Sequence, residues 1–469
     1  MRLLRGWLVA IVLASTLAPT VAPADAGKRP RLIVAVERGD TAALKRLLKK
    51  VKRKELAAVD PDPTSPTEGR TALEIAALRA DADAVDALLR AGAPFTDETL
   101  ARAADGGSLP IVERLIAAGA PHLDHAVMAA AIAGHADVVE ALLPRARRAH
   151  ADLDLDRVLD VAIGLSGAPS REVVDVLLRA HANPARSTPP LAWTALHRAA
   201  QKDAAEVVAA LLAAGAPVDA RASDDETPLI MAARAGRGAV VETLLAAGAD
   251  PRAVNERGET ALSVLIHLDS ATPRNVALLE QLLAAKVPVD HGGPRNVTPL
   301  MIAASIGSVA WIETLLAHGA SLEARDADGR RPIDHALACL VDGGDWPWPV
   351  ARTCHGAAAR ALLAPAKAPL GSVDRDGRSP LMRALMTVDD ALVARMLALG
   401  ARAGDRDPAG TTIWHYAARY ATPGALAMLV AAKLPGLDAV DARGETPLAL
   451  ARRFGRRETV AALVAAGAR

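Results

Sequence analysis

The sequence predicts an all-α solenoid of about 13 helix-turn-helix units joined by short β-turn fingers. Three observations predict it. The segment from Thr227 to Asp250 reads TPLIMAARAGRGAVVETLLAAGAD, and variants of it return along nearly the whole chain. Several returns are 33 residues apart: 194 to 227, 227 to 260, 298 to 331 and 379 to 412. The chain is 51% hydrophobic but only 2% aromatic, which suits an alanine- and leucine-filled stack better than the core of a globular enzyme.

One unit justifies the elements. Thr227 can cap free N–H groups and Pro228 suits a first helical turn, so an inner helix starts there. Leu229, Ala232 and Ala233 then share one face, and the small alanines let neighbouring helices approach closely. Gly236 turns the chain into an outer helix whose buried stripe is Val240, Val241, Leu244 and Leu245, closed by Gly248. The polar, turn-rich stretch from Pro251 to Glu259 forms the finger that leads to the next unit.

In chain order, Arg2 and Arg5 precede an apolar core from Trp7 to Leu17, and Ala24-Asp25-Ala26 matches a small-x-small cleavage pattern. Residues 1–26 therefore read as a secretory signal peptide, and 27–469 as the repeat array. The apolar run is short for a membrane span, and no second run of spanning length appears. We expect an exported protein, periplasmic or extracellular, with no transmembrane span. Units start near Pro30, Thr71, Glu98, His125, Arg157, Thr194, Thr227, Thr260, Thr298, Arg331, Ser379, Thr412 and Thr446. The 27-residue spacing of the starts near 71, 98 and 125 leaves little room for fingers, whereas 57–70 and 183–193 are longer, proline-containing connections. The units between His125 and Trp193 are degenerate enough to hinge.

The threonine-proline-leucine openings, the Ala-Ala pairs, the Gly-Ala endings and the Thr194-Ala195-Leu196-His197 opening carry a resemblance. With its period, the array resembles the ankyrin-repeat family over roughly residues 30 to 469; the bias toward Ala, Arg, Gly and Pro fits a GC-rich bacterial genome, and with the signal segment an exported bacterial member is expected. The resemblance implies binding of a folded protein through finger tips and the exposed face of the inner helices. Carried onto this chain, the positions before each opening are Trp193, Glu226, Glu259, Arg330, Arg378 and Glu445. Those after the Ala-Ala pairs are Gln201, Lys202, Arg234, Arg419, Tyr420, Arg452 and Arg453. The family also implies a structural role for His197 and His415, and a turn role for His135 after Gly134.

The interval from Arg331 to Ser379 is 48 residues because an insert, 341–356, lies between the inner and outer helices of that unit. Cys339 and Cys354 are the only cysteines; in an exported protein they are expected to form a disulfide closing this loop. Such a loop of about 15 residues is stabilised by about 3 kcal/mol in the chain-entropy account. A redox or metal-binding pair is the alternative, disfavoured because the spacing is far from C-x-x-C. Trp346 and Trp348 alternate with Pro347 and Pro349 beside Asp342 and Asp345, which suits an interface anchor on a stiff loop. The other reading is that both rings fold back over helix ends.

Composition and motifs exclude other classes. Lys+Arg 55 against Asp+Glu 54 gives no global basic field for nucleic acid. No G-x-S-x-G, phosphate-loop or H-E-x-x-H pattern is present, and His122 with His125 lacks a placed third metal ligand. We therefore expect no catalysis, cofactor or metal, and a monomeric protein-binding scaffold of unknown partner. The alternative is an envelope-associated structural protein contacting anionic lipid weakly through the basic first unit: Lys45, Arg46, Lys49, Lys50, Lys52, Arg53 and Lys54. A polar cap on a terminal repeat is the plainer account of that cluster.

Overall fold

The computed structural model describes residues 29–150, 153–267, 271–337, 355–364, 370, 373–374 and 376–469. They fall into two compact bodies: residues up to Ser187 together with Ala209–Ala216, and Thr188–Val208 with Pro217–Arg469. Each is an all-α repeat solenoid. Five inner helices lie in the first: Arg31–Glu37, Ala72–Leu78, Thr99–Asp105, Leu123–Ala133 and Leu155–Leu165. Eight lie in the second, beginning at Ala195, Pro228, Ala261, Pro299, Pro332, Pro380, Ile413 and Pro447. We number the repeats one to thirteen in this order.

Within each body inner helices pack on inner helices and outer on outer, so each repeat buries its apolar stripe against the next. Repeat seven shows why. Thr227 caps the inner helix Pro228–Arg234 by accepting from the Ile230 N–H, and Leu229, Ala232 and Ala233 are buried. Gly236 turns at φ +67°, left-handed backbone that side chains rarely adopt, and Val240, Val241 and Leu244 of the outer helix Gly238–Ala246 are buried. His197 and His415 have the structural role expected of them. In both, Nδ1 accepts from the N–H of the capping threonine, and Nε2 donates to the carbonyl of Glu226 at 3.1 Å or Glu445 at 2.9 Å in the next repeat. His135 Nε2 similarly reaches the Asp105 carbonyl at 2.9 Å.

The degenerate repeats differ in detail. Inner helices four and five start at Leu123 and Leu155, two residues before the expected starts, after His122 in left-handed backbone and after Asp154. Asp154 caps the latter by accepting from the Arg157 N–H at 3.0 Å. The break between Ser187 and Thr188 falls within the proline-containing connection 183–193 that the sequence marks.

The first long connection, 57–70, is pinned rather than loose. Arg29 donates to both oxygens of Asp60, at 3.0 and 2.5 Å, and to Glu37 at 2.6 Å. The Thr67 hydroxyl lies 2.6 Å from Asp60 and 2.7 Å from Glu37. The hydrogen bond from Arg29 holds the Asp60 carboxyl well below the usual carboxylate range, with burial opposing and Thr67 adding. Glu37 is lowered for the same first reason.

Candidate functional site

The expected finger and groove positions form two columns, the residue before each helix-capping residue and the residue seven after it. The fold brings them together. Glu226 accepts from Arg234 Nε at 2.8 Å, and Glu445 lies 2.8 Å from Arg453 Nη1. Arg234 also reaches Glu259 of the next repeat at 3.5 Å, and His267 Nδ1 lies 3.7 Å from Glu259. Burial pushes the His267 imidazole below its ordinary value, with the Glu259 charge opposing. Glu226 and Glu259 are buried, so the solvent-facing member of this ladder is Arg234. A cleft of about 240 Å³ opens beside it, lined by Asp224, Glu226, Arg234, Asn255, Glu256 and Arg257.

The other positions are placed as follows. Trp193 is half-buried, with the Arg198 guanidinium 5.6 Å from its ring centroid. Arg330 and Arg378 lie 3.7 Å from Asp328 and 3.8 Å from Asp376, each on its own finger. Asp342, Asp345, Trp346, Trp348, Cys339 and Cys354 lie outside the described residues, as does the signal segment.

Arg419 and Tyr420 belong to a cluster that the sequence positions hint at but do not assemble. The Arg419 guanidinium sits 4.9 Å from the Tyr420 ring centroid and 5.0 Å from that of Phe454 in the next repeat. Arg453 lies 5.2 Å from the same Phe454 ring, and the Tyr416 and Tyr420 centroids are 6.2 Å apart. Phe454 is 44% exposed. The chain has two tyrosines and two phenylalanines, and three of these four rings meet here. On the same helix as the two tyrosines, Trp414 is buried and donates its indole N–H to the Pro435 carbonyl at 3.0 Å. Burial pushes the Tyr416 hydroxyl up to about 12; it donates to Asp407 at 3.2 Å.

Sequence reasoning missed the residues that shape the fingers. Asn255, Asp326, Asp374, Asp407 and Asp441 each stand five residues before a capping residue. One side-chain oxygen of each accepts the N–H groups two and four residues on, at 2.8 to 3.0 Å. In three repeats the second oxygen is held from the inner helix nine residues on: Asp326 by His335 at 3.1 Å, Asp374 by Arg383 at 2.7 Å, and Asp407 by Tyr416. Burial alone would raise Asp326, yet the bond from His335 and the finger amides hold it below its ordinary value. The signal was the Asp/Asn-x-x-Gly spacing, present in all five.

Among the described residues no group of three or more His, Cys, Asp or Glu side chains is placed to hold a metal ion. His122 stacks on His125 and pairs with the exposed Asp97 at 3.1 Å. Among the same residues no helix is long and apolar enough to cross a membrane.

Family models described as "Ankyrin repeats (3 copies)" and "Ankyrin repeat" match residues 159–255 and 295–327. Similar proteins include the human ankyrin repeat and SOCS box protein 16, 35% identical over 157 residues, which are 33% of this chain and 35% of the human one. Its mouse counterpart is 32% identical over 123 residues, 26% of this chain and 27% of the mouse protein. The chain thus spans about a third of the length of the curated relatives it matches.

Proposed function

From a chain built of ankyrin repeats, we propose a non-catalytic interaction scaffold, exported to the periplasm or beyond the cell, that grips a folded protein with its inner helices and fingers. Ankyrin repeats imply protein–protein interaction in general; the particular surface is our reading. The single observation that carries it is the exposed Arg419–Tyr420–Phe454–Arg453 cluster. Aromatic rings flanked by arginines are the side chains that most often dominate interfaces, because large rigid area is buried at low entropic cost. A solvent-facing phenylalanine held between two guanidiniums presents a ring and flanking charges to a partner, with apolar area still left to bury. Trp346 and Trp348 in the insert are proposed as a second anchor. The ladder around Glu226 and Glu259 is already charge-compensated, so in this reading it shapes the groove and Arg234 supplies its contact.

The test is affinity capture from the exported fraction, followed by binding titration of the recovered protein. Wild type is compared with Tyr420→Ala/Phe454→Ala and with Trp346→Ala/Trp348→Ala. Loss of about 2 kcal/mol or more of binding in the first variant, roughly 30-fold, supports the cluster as the anchor. Unchanged affinity in both variants would refute the assignment of either surface.

A further inference from the structure

The outer helix of repeat one, Thr41–Leu48, and the short helix Arg53–Leu56 after it carry an uncompensated positive face. Lys45, Arg46, Lys49, Lys50, Lys52, Arg53 and Lys54 are all exposed. Glu55 is the one carboxylate between residues 41 and 59. Four of the surrounding acids are engaged elsewhere; Asp83, on the next outer helix, is exposed and pairs with none of the seven. Glu37 and Asp60 are held by Arg29, Asp40 caps its helix by accepting from the Ala43 N–H at 2.7 Å, and on the next outer helix Asp86 pairs with Arg114. None of the seven cations enters an ion pair among the described residues. A polar cap needs only hydrophilic groups, and mixed signs would supply them without the self-repulsion of seven like charges.

We propose that this face docks on a bilayer surface of anionic phospholipid headgroups. Five of the seven cations are lysines, compact hydrated charges that suit a diffuse field of phosphates better than the planar forks of arginine. No aromatic residue lies between Arg29 and Pro94, so the face offers no platform on which bases could stack. Val59, 46% exposed beside it, adds apolar contact at headgroup depth. This surface is separate from the arginine–aromatic cluster, and it holds or fails independently of that reading.

The full chain is titrated with vesicles of phosphatidylcholine alone and with about a third phosphatidylglycerol, and the ratio of the two affinities is read. Residues 1–28 are common to every variant, so binding they contribute cancels when the ratio of a variant is compared with that of wild type. Each lysine neutralised at the surface costs roughly five-fold. The variant Lys45→Gln/Lys49→Gln/Lys50→Gln/Lys52→Gln/Lys54→Gln is therefore expected to lower the ratio by about a hundred-fold or more, fewer than five being in contact at once. The matching set of Lys→Arg changes is expected to keep it, and raised salt to erode it. Circular dichroism should match wild type and the unfolding midpoint should be no lower, since all five side chains are exposed and their mutual repulsion is removed. Equal affinity for neutral and anionic vesicles, or an unchanged ratio in the glutamine variant, overturns the proposal. So does duplex DNA or an acidic polypeptide binding the same face more tightly than the vesicles.

Discussion

Replacing Arg29 by Met removes the guanidinium at the start of repeat one while keeping most of the apolar stem. The side chain of Asp60 is fully buried and that of Arg29 is 29% exposed. Removing one partner of a fully buried pair costs about 3–5 kcal/mol, and of a surface pair about 0–1 kcal/mol. Asp60 would retain the Thr67 hydroxyl and the Asp62 N–H, which soften the loss. We expect about 2–3 kcal/mol, between those limits. The effect depends on pH in a defined sense. Arg29 lowers the folded-state values of Asp60 and Glu37, so their contribution is present above the unfolded carboxylate value of about 4 and is lost as pH falls through the lowered values. The gap between wild type and variant is therefore widest near neutrality and closes toward acid. Amide hydrogen exchange in repeats one and two, followed against pH, reads this opening energy locally. A gap below about 0.5 kcal/mol at neutral pH, or one that does not shrink on acidification, would refute the clasp as a stabilising element.

Two further outcomes are expected. His197→Phe strands the Thr194 N–H and the Glu226 carbonyl, at a cost of about 2–4 kcal/mol. Burial holds the wild-type imidazole below its ordinary value, so its contribution is present above about 6.5 and declines as pH falls through the lowered value. Urea midpoints of the variant should lack that slope. For Cys339 and Cys354, thiol labelling of the unreduced exported chain should fail and succeed after reduction; free thiols without reductant would eliminate the disulfide.

Much of the architecture is written locally, and the sequence alone determined it. A 33-residue repeat specifies its own helices because each capping threonine, Ala-Ala pair and positive-φ glycine acts within one turn of chain. The starts slipped only in repeats four and five, whose inner helices begin after His122 in left-handed backbone and after Asp154. The groove columns were equally legible as positions. What only the tertiary structure decided was which of those positions remain available. Stacking brings Arg234 against carboxylates from two repeats, so Glu226 and Glu259 are consumed by an internal ladder. It also lays Phe454 of repeat thirteen against Arg419 and Tyr420 of repeat twelve, and folds Arg29 onto a connection thirty residues away. A repeat pattern fixes what each side chain can reach within its own unit. Whether a charge is neutralised or a ring left in solvent depends on the neighbouring repeat, whose contribution has no signature in the local sequence.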